Sequence, residues 1–155
     1  MKMEGRNTLA GIADRVNKNL HFITSARGKK ADVHEVTQLL LSLLGLIVFP
    51  FEDRLKGDRT AFSDVALSDL IAKGWPSWTF TRGKSGDLHD LLFHIRNSVS
   101  HHRLLFSCDS RDMAEVEIEF RDRKPRASAD NWSATINAAE LNRFVLLLSD
   151  YFKSH

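Results

Sequence analysis

One cysteine, Cys108, stands in a chain of 155 residues. A lone thiol excludes an intramolecular disulfide and a cysteine-based zinc site. No apolar run is long enough to cross a bilayer. The greasiest stretch, "LLLSLLGLIVFPF" from Leu39 to Phe51, is broken by Pro50 and falls short of the roughly 20 residues a spanning helix needs. A surplus of one charge is missing as well. Lys and Arg number 22 against 20 Asp and Glu, for a net charge of +2 with the histidines neutral. Bulk charge therefore does not mark a nucleic-acid binder, and only a local basic patch remains open. The stretch "MKMEGRNTLAGIADRVNKNL" scatters its charges and lacks the apolar core of a signal peptide. "RGKSG" has glycines and a lysine without P-loop spacing. There are no internal repeats. The expectation is a cytoplasmic protein with no membrane partner.

What is present is helical periodicity. With 27% charged and 43% hydrophobic residues, the composition is that of an ordinary globular chain. Its length fits one domain over residues 1–155. Leu9, Ile12, Ala13, Val16, Leu20 and Ile23 predict a first helix from about Asn7 to Ala26. Asp32 is the expected N-cap of a second, with Glu35 at the capping-box position. That helix carries the apolar run, is expected to be buried on nearly all sides in the core or a subunit interface, and should end near Phe49 because Pro50 disfavours helix before it. "SDVALSDLIAKG" reads as a short helix capped by Ser63 and closed by Gly74. "WPSWTFTRGKSG" reads as a loop or extended piece; its Trp75 and Trp78 are taken as packing, with base stacking as the alternative.

The third main helix spans about Asp87 to Arg103, with Leu88, Leu91, Leu92, Ile95 and Val99 on its apolar face. The period then changes. "EVEIEF" alternates Val116, Ile118 and Phe120 with glutamates, and "NWSATIN" places Trp132, Ala134 and Ile136 on one side. These two strands predict a hairpin around a basic loop, with "LLFSC" as a third short strand. A last helix runs from about Asn137 or Ala138 to Phe152. The fold class is mainly α: a helical bundle with a small β-hairpin inserted before its last helix.

The third helix carries an unusual polar stripe. Asp90, His94, Asn97 and His101 succeed one another at spacings of four, three and four. A merely solvated face would be built from Lys, Glu and Gln. Three readings compete. In the first, Arg96, Asn97 and the histidines cap the helix end, where cations gain about 0.3–1 kcal/mol from the dipole, or bond the loop beyond it. In the second, His89, Asp90, His94, His101 and His102 ligate a metal, although no HExxH-like pair exists and neighbouring His101 and His102 diverge by about 100°. In the third, the stripe performs phosphate chemistry. An imidazole moves protons near neutral pH, a guanidinium grips phosphate oxygens, and an amide orients either. With RNA the nucleophile is the substrate's own 2′-hydroxyl, so no metal or other cofactor is required. Arg96 and His101 lie about 140° apart on an ideal helix. A long arginine side chain or a second copy of the helix would close that gap.

"RNSVSH", an arginine and a histidine separated by four residues, resembles the R-x4-6-H motif of the HEPN superfamily. "HIRNSVSHHRLLF…VEIEFRDR…WSATINAAELNRFV" is similar to stand-alone HEPN proteins of plasmids and bacterial defence loci, from about Leu88 to Phe152. The resemblance implies a bundle that forms a homodimer by pairing its motif helices, with RNA as the substrate cleaved in the shared cleft. It assigns phosphate binding to Arg96, acid–base chemistry to His101 and geometry to Asn97. His102 and His94 match no required position and stand as accessory candidates; His89 is read as structural or exposed. Family toxins silenced by nucleotide transfer carry a tyrosine two residues after the histidine, where this chain has Arg103, so that mode of regulation is unsupported. An antitoxin or other regulatory protein remains an expected partner. Arg121, Arg123, Lys124 and Arg126 form the densest basic cluster and are the candidates for RNA backbone contact, the alternative being a solvated loop. Two functions are thereby expected: a metal-independent endoribonuclease acting as a toxin or defence effector, or an inactive HEPN module that binds a nucleotide, RNA or protein partner.

Overall fold

The structure, a computed structural model, describes residues 9–50 and 62–154. The expected start of the first helix at Asn7 and the apolar Phe51 lie outside the described residues. In chain order the elements are α1 (Leu9–Gly28), α2 (Glu35–Pro50), α3 (Leu67–Ala72), β1 (Thr79–Arg82), α4 (Leu88–Ser100), β2 (Leu104–Phe106), β3 (Glu117–Asp122), β4 (Trp132–Asn137) and α5 (Ala138–Ser154). A 3-10 turn, Met113–Glu115, precedes β3. The architecture is mainly α with a four-stranded antiparallel sheet in the order β1-β4-β3-β2. No helix of the described residues is long and apolar enough to cross a membrane.

The expected periodicities become the packing faces. Val116, Ile118 and Phe120 are buried, as are Trp132, Ala134 and Ile136, so the alternating stretches point one face into the core. Against that face lie Leu88, Leu91, Leu92 and Ile95 of α4 and Phe144 and Leu148 of α5, with Leu39, Leu43 and Leu46 of α2 in the same core. Burying a side chain of this kind is worth about 1.5–3 kcal/mol, so α4 is anchored by four such residues on one face. Ile118 pairs with Ile136 and Phe120 with Ala134 across the hairpin. Leu104 pairs with Phe120 on the other side.

Several local expectations are overturned by tertiary contacts. Asp32 does not cap α2. The helix starts at Glu35 and His34 precedes it, its carbonyl accepting from Gln38 N–H. Asp32 instead forms an ion pair with Arg111, and Glu35 is buried 3.7 Å from Arg27. Ser63 does not cap α3 either. The backbone of residues 65–67 pairs with that of 86–88 and stays extended up to Ala66, which supplies no side-chain cap. The "WPSWTFTRGKSG" segment is extended in part, and its strand β1 pairs with β4, adding to the expected three strands a fourth that precedes α4. Within one chain the apolar helix α2 buries Leu39, Leu43, Leu46 and Ile47 and leaves Leu41 58% exposed. Gly74 does close α3, in a left-handed conformation.

Gly83, immediately after β1 at φ +59°, is held by the sheet. A Cβ there would lie 3.0 Å from the Asn131 carbonyl and 3.4 Å from the Trp132 ring. Gly83→Ala is therefore expected to lower the unfolding free energy in urea by about 1–2 kcal/mol. Gly28→Ala, at the end of α1 with open space around it, should change it by no more than about 0.5 kcal/mol. Equal midpoints for the two variants would contradict this backbone assignment.

Candidate functional site

The polar stripe of α4 meets the sheet at Asp122, the last residue of β3. Alternation in β3 turns Asp122 to the same side as Ile118 and Phe120, so its carboxylate is brought into the interior, with a side-chain exposure of 5%. Four donors converge on it. His94 Nδ1 lies 2.8 Å and Asn97 Nδ2 3.0 Å from Oδ2. Arg123 N–H donates to Oδ1 at 2.8 Å, and an Arg103 guanidinium nitrogen is 3.4 Å from the same atom. The other side of the Asn97 amide is used as well: its Oδ1 accepts from the Arg96 guanidinium at 3.1 Å. A continuous chain of bonds thus runs from the strand carboxylate through Asn97 to Arg96. The His94 ring lies flat against Trp132, with centroids 4.7 Å apart and planes 10° from parallel. Its Nε2 is 3.6 Å from Asp90.

Burial by itself would raise the Asp122 carboxyl. The bonds from His94, Asn97 and the Arg123 backbone, with the charge at His94, outweigh burial and hold it below its ordinary value of 3.8. Among the described residues, no three His, Cys, Asp or Glu side chains come together as a metal-ligand group.

Arg96 and Asn97 are thus joined in one network, and His94 proves to be part of its scaffold. His101 lies outside that chain of bonds, as the exposed C-cap residue of α4. His102 has a different task. It adopts φ +53°, its N–H donates to Val99 O at 3.2 Å, and Arg103 N–H donates to Ser98 O at 2.8 Å. This is a Schellman closure with histidine in the left-handed position where glycine is usual. The expected run of α4 to Arg103 fails for that reason, and the helix stops at Ser100. Arg103 instead joins the sheet, its carbonyl accepting from Arg121 N–H.

The basic cluster divides. Arg121 lies on β3 and makes two bonds to Glu119, and Arg123 bonds Asp130 at 3.0 Å. Lys124 and Arg126 are the exposed pair in the β3–β4 loop. Asp122 is the functional-site residue that spacing on the motif helix does not reveal. A signal for it is nonetheless present: Asp122 continues the inward register of Val116, Ile118 and Phe120, and a charge on that face requires partners.

The chain belongs to the HEPN family described as HEPN pEK499 p136, which it matches over residues 1–155. No solved structure matches it.

Two outcomes test this geometry. A carboxylate whose folded pKa is lowered adds stability above its ordinary pKa and loses it as pH falls through the folded value. Asp122→Asn is accordingly expected to destabilise the protein near neutrality by about 3 kcal/mol. Its deficit relative to wild type should shrink as pH drops below 3.8, as measured by urea unfolding. A deficit independent of pH would remove the carboxylate from this role. His102→Gly should raise the stability by about 1 kcal/mol by relieving the left-handed strain; a thermal scan showing a lower Tm would contradict the cap.

Proposed function

We propose that this protein is a metal-independent endoribonuclease, with Arg96, Asn97 and His101 as its catalytic groups and RNA as its substrate. The observation that carries the proposal is the chain of bonds from Asp122 through Asn97 to Arg96. It fixes a guanidinium at the polar end of α4 at the cost of burying a carboxylate, more than a solvated helix face requires. Arg96 would grip the scissile phosphate and offset the charge that builds on it. His101 would take the proton of the 2′-hydroxyl, whose oxygen attacks the adjacent phosphorus. The 5′-oxygen then leaves with a proton supplied by an imidazolium. A second copy of the chain, pairing along α4, would supply that second imidazole and bring an Arg96 opposite His101.

Exposed apolar residues flank this segment and support pairing. Phe93 lies one turn before Arg96 on the same face of α4, and Leu105 and Phe106 lie beyond it on β2. Lys124 and Arg126 are the proposed RNA backbone contacts. Arg121 and Arg123 would contribute less, since each already holds a carboxylate. The cellular role proposed is that of a cytoplasmic toxin or defence effector, with an antitoxin or regulatory protein as partner and one domain over residues 1–155.

One observation favours a second reading. The most fully bonded groups of the site, His94, Asn97 and Asp122, satisfy one another, while His101 stands apart. A non-catalytic HEPN module binding a nucleotide, RNA or protein would need no more than this. Purified protein incubated with a labelled mixed-sequence RNA in EDTA separates the two. Cleavage is expected for wild type, and His101→Ala and Arg96→Ala should each lower the rate by at least about 100-fold while the dimer persists in sedimentation. Undiminished cleavage in the His101→Ala variant would overturn the site assignment. No cleavage by wild type leaves the binding module as the surviving reading.

A further inference from the structure

Away from the polar site, α3 and β1 enclose a cavity of about 370 Å³, within the range of roughly 300–1,000 Å³ typical of small-ligand sites. Its walls include Leu70 of α3, Trp75, Trp78, Phe80 of β1, Ser85 and Phe144. Trp78 is nine-tenths buried and packs edge-to-face on Phe144 and Phe120, with centroids 5.3 and 5.7 Å away. A buried indole N–H ordinarily finds an acceptor. That of Trp132 does, donating to Ser85 Oγ at 3.1 Å. The Trp78 Nε1–H is buried and meets no acceptor among the described residues. Ser85 Oγ, used as an acceptor by Trp132, retains its own O–H as a second donor. The cavity is therefore aromatic-walled, and two residues that line it carry polar hydrogens: Trp78 a buried N–H with no acceptor, and Ser85 a hydroxyl.

We propose that this cavity receives a single unstacked base of an RNA strand; the inference rests on the RNA reading above. A flat heteroaromatic ring matches the aromatic walls, and the acceptors on its edge match the donors of Trp78 and Ser85. A purely apolar ligand would leave both donors unmet. The surroundings favour a base on a strand over a free one. Residues 66–86 carry Lys73, Arg82 and Lys84 against the single acid Asp69. Lys73 and Lys84 are exposed and lie within two residues of the lining positions Ile71, Trp75 and Ser85, available to the phosphates of a strand. One side chain, Trp132, links the cavity wall to His94 of the polar site's scaffold. Trp132 touches Phe80 at 6.1 Å, bonds Ser85 and stacks on His94. A base held here would be one ring away from the scaffold that positions Asn97.

The three tryptophans give three indole N–H signals in a 15N–1H spectrum, and Trp78→Phe identifies one by its loss. The probe is a mixed-sequence 2′-O-methyl oligoribonucleotide, which cannot be cleaved because the attacking oxygen is blocked. It is compared with the same backbone lacking bases and with free nucleosides. Expected are a shift of the Trp78 signal with the oligonucleotide alone, and the same shift with nucleosides only at far higher concentration. Trp78→Phe should bind the oligonucleotide about ten-fold more weakly. Ile71→Glu, an exposed position on the cavity wall, should do the same without disturbing the core.

No oligonucleotide binding, binding with an unmoved Trp78 signal, or an equal shift with the base-free backbone would each overturn the proposal. A shift as strong with nucleosides as with the oligonucleotide would make the cavity a small-molecule site and overturn its assignment to RNA. Loss of the catalytic reading alone would leave the indole shift intact. A failed pocket would leave cleavage intact and the shift absent.

Discussion

The buried carboxylate of Asp122 is the point on which the site depends. A charge at 5% exposure is unfavourable unless every lone pair is met. Here two elements meet them, His94 and Asn97 from α4 and the Arg123 N–H together with Arg103 from the strand side. Because the donors come from both, the carboxylate fixes the height and rotation of α4 against the sheet. The apolar face of α4 fixes only which side is buried, since leucines tolerate small slides that a directed hydrogen bond does not.

That constraint explains the order of the neighbouring parts. With His94 held to Asp122 and stacked on Trp132, the last turns of α4 are set before the chain leaves the helix. The left-handed His102 then turns the chain sharply toward β2, and Arg103, just before that strand, both accepts from Arg121 N–H and partners Asp122. Helix end, strand start and buried charge are one local unit. Arg96 is at its rim, linked to it through the Asn97 amide.

Much of this is legible in the residues. The long elements are foreseeable from a period of 3.6 or 2, because α4, α5 and β3 each bury one face and leave the other more exposed, and β4 puts Trp132, Ala134 and Ile136 on one buried side. Expectation and structure part where local signals are overridden. Asp32 and Ser63 have the chemistry of N-caps, yet one is drawn off by Arg111 and the other is displaced by backbone pairing of residues 65–67 with 86–88. The strand β1 is four residues long with a mostly exposed pattern, so its alternation carries no signal until β4 lies beside it. His102 gives no sign of its backbone role, since a left-handed position announces itself mainly through glycine or asparagine.

The sequence by itself determined the helical class, the buried faces, and the placement of Arg96 and Asn97 on a helix that ends at His101, a spacing that resembles the HEPN pattern. These are properties of spacing along one segment, and helix geometry converts spacing into direction without help from the rest of the chain. Only the tertiary structure decided that Asp122 is the hub, that His94 is scaffold, that His102 is a cap, and that Trp78 lines a cavity with its N–H unmet. Each of those depends on contacts between separate segments, or on a backbone angle set where α4 hands over to β2. No periodicity encodes a contact between segments, so those facts arise only when the helix and the sheet meet.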